Sequence, residues 1–163
     1  MPQVPRRYIP KNLTQRDKRI AKKELLRSRK NYKNKNYYTR KQVKSFKSQP
    51  SKHIVTAKQK YGINEITPSA LLAQKTGCSI ATLQKIVQKG EGAYFSSGSR
   101  PNQTAQSWGY ARLASAITGG KASAVDYSIL AKGCTKNSKA LKMAKKSMYY
   151  NTHGRHAVPS IKI

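Results

Sequence analysis

The chain has 163 residues, 37% of them hydrophobic, with 34 Lys and Arg against five Asp and Glu and a formal charge of +29. That length holds one domain or a domain with tails, and the apolar share leaves only a small core. Five carboxylates are too few for paired-acid hydrolysis or an acidic Mg²⁺ site, and no apolar run reaches signal-peptide or membrane-spanning length.

The charge is unevenly spread. Residues 1–60 hold twenty of the basic residues against Asp17 and Glu24, residues 61–130 hold six against Glu65, Glu91 and Asp126, and residues 131–163 hold eight and no acid. The expected plan is a basic arm with one or two short helices over 1–60, a helical core domain over 61–134, and a basic helix with an extended tail over 135–163. A positive field of this size repels itself and attracts polyanions, so nucleic acid is the default partner. Anionic lipid and acidic protein surfaces are the alternatives.

In chain order, "MPQVPRRYIPKNL" has three prolines in ten residues and predicts an extended arm. Thr14 with Asp17 three residues later predicts the capped start of a basic helix, "QRDKRIAKKELLRSRK", with Ile20, Leu25 and Leu26 as a short apolar stripe. The following "NYKNKNYYTRKQVKSFKSQPSKH" interleaves Tyr32, Tyr37, Tyr38 and Phe46 with cations. Such interleaving suits stacking on nucleic acid, and equally suits aromatic anchors docking a solvated arm onto the core. Arg27, Arg29, Lys30, Arg40 and Lys41 are the phosphate-contact candidates here. "SKHIVTAKQKYG" predicts a short helix ending at Gly62.

"EITPSALLAQKTG" predicts a helix with Thr67 as N-cap, Pro68 as first residue and Gly77 as terminator. "SIATLQKIVQKG" predicts another from Ser79 to Gly90, with Ile80, Leu83, Ile86 and Val87 on one face. Residues 92–122 then carry charge only at Arg100, Arg112 and Lys121. Within them "GAYFSSGSRPN" reads as a loop and "QTAQSWGYARLASAIT" as a helix stopped by Gly119 and Gly120. "ASAVDYSILAKG" predicts a short helix, "SKALKMAKKSMYYN" a basic amphipathic one, and "THGRHAVPSIKI" an extended tail. No strand periodicity or repeat is evident. The fold class expected is mainly α, a small helical domain containing a helix-turn-helix-like pair, with an extended basic N-terminal arm and a C-terminal tail.

The strongest local spacing is "LLAQKTGCSIATLQKI", which resembles the helix-turn-helix of DNA-binding proteins. Ala73 lets the helices approach, Gly77 allows a left-handed turn, Ser79 caps the second helix, and Leu83 and Ile86 point inward. The resemblance implies that Thr82, Gln84, Lys85 and Lys89 face the major groove. A pair of crossing helices is also a common way to build a small core.

"TGGK" does not make a phosphate loop, because Ser115 stands where its first glycine belongs and Ala122 where the Mg²⁺-binding hydroxyl belongs. Cys78 and Cys134 fit neither a disulfide framework nor a zinc spacing and read as small, partly buried thiols of a reducing compartment, with a long-range pair between them as the unsupported alternative. His153 and His156 with Cys134 lack a fourth ligand. No catalytic residue, cofactor or metal is expected. The near-neutral segment reads as interior, with Trp108, Arg112, Asp126 and Arg100 as structural core and the arginines paired because an uncompensated buried charge is destabilising.

The run "LAQKTGCSIATLQKIVQKGEGAYFSSGSRPNQTAQSWGYARLASAITGGKASAVDYSIL", with "RYIPKNLT", "SRKNY" and "YYTRKQVKSFKS" before it, is similar to a family of small basic proteins of large DNA viruses of algae and amoebae, with looser relatives in large marine phages. Gly77, Ser79, Leu83, Gly90, Gly92, Ala93, Tyr94, Arg100, Pro101, Trp108, Ala111, Arg112 and Ser115 carry the similarity, which covers most of residues 6–134. It implies a viral origin and a shared fold, with no assigned activity. The function expected is a structural virion protein, a minor capsid or capsid-associated component that ties neighbouring subunits through its arms. The partners expected are other capsid proteins, DNA and an anionic inner membrane, with no small-molecule substrate. It would sit in the virion, at or just beneath the capsid, after synthesis in the host cytoplasm or nucleus. The alternative is a helix-turn-helix protein for genome packaging or transcription.

Overall fold

The computed structural model describes residues 2–153 and 158–163 and is mainly helical. In chain order the elements are β1 (Gln3–Pro5), a 3-10 turn (Arg6–Tyr8), α1 (Gln15–Lys33), α2 (Lys52–Tyr61), α3 (Ala70–Thr76), α4 (Ile80–Ser96), α5 (Ala105–Ile117), α6 (Lys121–Val125), α7 (Tyr127–Gly133), α8 (Lys139–His153) and β2 (Ser160–Lys162). The chain divides into two compact units. One draws on Met1–Gln49, Glu91–Trp108 and His156–Ile163, the other on Pro50–Gly90 and Gly109–Arg155. The expected division into arm, core and tail gives way to two units interleaved in sequence, because α4 and α5 each supply residues to both.

In the first unit, the expected N-terminal arm is folded. Val4, Tyr8, Ile9 and Leu13 are buried with Ala21, Leu25 and Val43, and Ile161, Ile163 and Trp108 pack against them. A strand is also present where none was foreseen: β1 pairs antiparallel with β2, placing Val4 opposite Ile161. Two three-residue strands are too short for a periodicity to show. Helix α1 starts at Thr14, whose Oγ1 accepts the Asp17 N–H at 3.2 Å. Its buried face holds Asp17, Ala21, Glu24, Leu25 and Ser28, at helical spacing but half polar.

That polar face is what orders residues 38–46, which have no regular secondary structure. Asp17 Oδ2 accepts the Ser45 N–H at 2.7 Å and the Ser45 hydroxyl. Glu24 Oε2 accepts the Tyr38 hydroxyl and the Lys41 N–H, both at 2.8 Å. From the other side Asn102 accepts the Val43 N–H at 2.7 Å and donates to the carbonyls of Val43 (3.0 Å) and Phe46 (2.8 Å). These side chains satisfy backbone groups that a β-ladder would otherwise satisfy.

The second unit is a conventional apolar core. Leu72, Leu83, Ile86, Leu113, Ile117 and Leu130 are wholly buried, together with Ala57, Ala114, Ala116, Ala140 and Ala144. The alanines allow helices to approach closely. Helix α2 ends at Gly62 in the left-handed conformation, as its spacing predicts. Helix α3 begins later than expected: Ser69, not Thr67, is the cap, its Oγ accepting the Leu72 N–H at 3.1 Å. The stretch 121–133 forms two helices, α6 and α7, rather than one.

Helix α4 runs through Gly90 and Gly92 to Ser96, so the expected loop at 92–96 is helical. Tyr94, wholly buried in the first unit, is the residue that the extension carries inward. Its burial offsets the roughly 1 kcal/mol that each glycine costs a helix.

Candidate nucleic-acid interface

The turn between α3 and α4 is built from local chemistry. Gly77 sits at φ 75°, where a side chain would be strained, and its N–H closes α3 on the Ala73 carbonyl at 2.9 Å. Ser79 then opens α4, its Oγ accepting the Thr82 N–H at 3.2 Å. Leu72, Thr76, Cys78, Leu83 and Ile86 are buried around the turn. The spacing that suggested a helix-turn-helix therefore marks a real pair of helices with a buried inner face.

The two cysteines are not free thiols. Cys78, in this turn, is disulfide-bonded to Cys134 across a sequence separation of 56. The Ser79 N–H donates to the Gly133 carbonyl and the Thr135 N–H to the Gly77 carbonyl, each at 2.9 Å. This isolated antiparallel bridge sets Cys78 directly opposite Cys134, with the two Cα atoms 3.9 Å apart. It is the non-hydrogen-bonded kind of pair, whose side chains lie closest. The expectation of a reducing compartment loses its basis, and the pairing of Cys134 removes it from any metal set. The candidate ligands His153 and His156 fall on side chains outside the described ones, and no group of metal-holding residues occurs among the described residues.

The outward face of α4 differs in part from the face expected. Gln84 and Lys85 are exposed, and Ile80, Ala81 and Gln88 accompany them. Thr82 is buried instead: a Cβ on Gly133 would lie 1.6 Å from its Oγ1, so α7 closes over it. Its hydroxyl is shared with Ser79 at 2.7 Å. A threonine packed under α7 does not reach a base edge. Gln88 was missed, although its i, i+4 spacing from Gln84 places both amides on one stripe. Between the start of α4 and α7 lies an open groove of about 330 Å³ lined by Ser79, Thr82, Lys85, Ser128 and Lys132.

Lys89 is committed elsewhere. Asp126 is wholly buried and receives Arg112 as a fork, Nε on Oδ2 and Nη2 on Oδ1, both at 2.8 Å. Lys89 Nζ adds a third contact to Oδ1 at 3.1 Å. Burial alone would raise the Asp126 pKa, but the two cations outweigh it and hold the carboxyl below its ordinary value. The hydrogen bond to Asp126 raises the Arg112 pKa in turn. The proposed core pair of Arg112 and Asp126 is thus brought together, while Arg100 is exposed rather than core. Trp108 belongs to the first unit, where its ring meets Tyr8 edge-on at 6.1 Å.

In the first unit the basic candidates separate into two kinds. Arg40 is spent internally: it donates to the Ser28 hydroxyl (2.9 Å), the Tyr94 carbonyl (2.7 Å) and the Ser99 hydroxyl (2.6 Å), and stacks over Tyr94 at 3.8 Å. Desolvation lowers its pKa. Arg29 grips the Ser97 carbonyl through Nε and Nη2 at 2.9 and 2.7 Å. Arg27, Lys30 and Lys41 remain exposed, with Arg27 lying over the Tyr38 ring at 4.3 Å.

Three of the five carboxylates, those of Asp17, Glu24 and Asp126, are buried and hydrogen-bonded. Glu65 is exposed and Glu91 half-buried. The surface is therefore more cationic than the composition alone implies. No curated protein and no solved structure matches the chain. Residues 5–142 match the sequence model of a family of unknown function (DUF5824), and the chain belongs to that family.

Proposed function

We propose that the chain is a non-catalytic structural protein of the particle of a large DNA virus, and that its surface holds nucleic-acid phosphates. The observation that carries this reading is the withdrawal of acids: in a sequence with 34 Lys and Arg, three of the five acids are buried, Glu91 is half-buried and Glu65 is exposed. Folded surfaces ordinarily intersperse both signs, and a surface of one sign attracts the opposite polyanion. The ionisable groups that are buried serve structure, as Asp126 with Arg112 and Glu24 with Tyr38 show. The particle is argued from the similarity to small basic viral proteins, and a disulfide persists in virions better than in a reducing cytosol. The N-terminal region is folded, so it offers a cationic surface rather than a free tie. No described helix is long and apolar enough to cross a membrane.

The test compares labelled duplex DNA, vesicles containing phosphatidylserine, and polyglutamate at physiological salt. The proposal expects duplex DNA to bind most tightly. Tighter binding of vesicles or polyglutamate overturns it in favour of the inner membrane or an acidic capsid partner.

A second reading, a helix-turn-helix protein with sequence preference, is favoured by the outward placement of Gln84, Lys85 and Gln88 on α4. After selection of a preferred duplex, Gln84→Ala would lower affinity for it about tenfold and leave random duplex unchanged. Equal loss on both duplexes would leave only non-specific phosphate binding.

A further inference from the structure

The first unit carries an aromatic cluster that its own core does not use. Tyr37 is 70% exposed and Tyr32 38% exposed. Their rings meet at 6.2 Å, and Tyr37 meets the half-buried Phe95 at 5.2 Å. Phe95 in turn sits edge-on to the wholly buried Tyr94 at 5.1 Å. The series runs from the buried Tyr94 through Phe95 to Tyr37, the most exposed of these rings, with Tyr32 beside it.

The backbone fixes this arrangement. Helix α1 ends in a paired closure, with the Asn36 N–H donating to the Asn31 carbonyl at 2.9 Å and the Lys35 N–H to the Tyr32 carbonyl at 3.0 Å. Lys35 takes the left-handed position, φ 58°, that glycine would occupy without strain. The reversal returns Tyr37 beside Tyr32 and leaves Lys33, Lys35 and Asn36 exposed around them. No acid lies between Glu24 and Glu65 in sequence, and Glu24 is buried beneath Tyr38 and Lys41.

We infer that Tyr32 and Tyr37 form a stacking platform for unpaired bases of single-stranded nucleic acid, with Lys33 and Lys35 on the flanking phosphates. Every base has a π-face, so exposed rings anchored from below bind single strands with little sequence preference. The cations beside the rings supply the charge complementarity that an apolar protein partner would not use. A duplex hides its base faces in the stack and gains nothing from the rings. The inference rests on the proposed nucleic-acid binding and adds contact with unpaired bases, so a loss confined to single strands is distinguishable from a general loss of phosphate binding.

The test uses labelled single-stranded oligonucleotides of about ten nucleotides, one poly-dT and one poly-dA, beside a duplex of equal length. Tyr37→Ala would weaken both single strands about tenfold and leave the duplex unchanged, while Tyr37→Phe would bind like the wild type. Because Tyr37 is largely exposed, the alanine variant should keep its fold, which circular dichroism verifies. Loss of less than about twofold on single strands, equal loss on duplex, or failure of Tyr37→Phe to retain binding would each overturn the platform.

Discussion

The two units of this protein solve the same problem with different materials. The second buries leucines, isoleucines and alanines, adds one disulfide, and neutralises its single buried acid with two cations. The first has a small apolar cluster and holds residues 38–46 with carboxylates and an amide aimed at backbone N–H and carbonyl groups. In a chain with so few acids, spending two of them on backbone order leaves the exterior to lysine and arginine. Folding and the proposed function draw on the same scarcity.

This contrast can be broken from the second unit first. Replacing Cys78 and Cys134 with serine releases a loop closed over 56 residues and is expected to cost about 4 kcal/mol, read by thermal or denaturant unfolding. Asp126→Ala strands the half-buried Arg112 without its fork and should cost about 3 kcal/mol in the same measurement. The double change Asp126→Ala with Arg112→Met should recover much of that loss, since the orphaned charge goes too.

In the first unit the effects are smaller and more local. Asn102→Ala leaves the Val43 N–H and two carbonyls short of a partner and should cost about 2 kcal/mol. Hydrogen exchange at Val43 should accelerate while amides of α5 to α8 within the second unit hold their rates. Lys89→Met should be almost silent, under about 1 kcal/mol, because its side chain is half exposed and the Arg112 fork remains.

Acid should sharpen the same comparison. Hydrogen bonds from Ser45 lower the Asp17 pKa, and the cations around Asp126 lower its own. A carboxylate with a depressed folded pKa stabilises fully above its unfolded value and loses that contribution as pH falls through the folded one. Both units should therefore weaken below the ordinary aspartate range near 3.8, and Asp17→Asn should flatten that decline for the first unit.

What could be read from the sequence was local. The Thr14 cap, the Gly62 and Gly77 stops and the Ser79 start each depend on residues within one helical turn. The pairing of Cys78 with Cys134 depends on a two-stranded bridge between distant segments, and the burial of Thr82 on the absence of a side chain at Gly133. Neither leaves a mark in nearby spacing. Gly90 reads as a helix stop and Gly92 as the start of a loop, but tertiary burial of Tyr94 carries α4 past both. Asp17 and Glu24 were visible as rare acids in a basic arm, yet their partners lie 14 to 28 residues away. The exposure of Gln84 and Lys85 on α4 agrees with what the helix-turn-helix resemblance implies for them.

The central claim is that buried carboxylates leave a cationic exterior fitted to nucleic-acid phosphate. The salt dependence of duplex binding tests it most directly. Engagement of six or more phosphates gives a log–log slope of about −5 or steeper. A slope near zero, or binding that persists undiminished at high salt, would contradict the account.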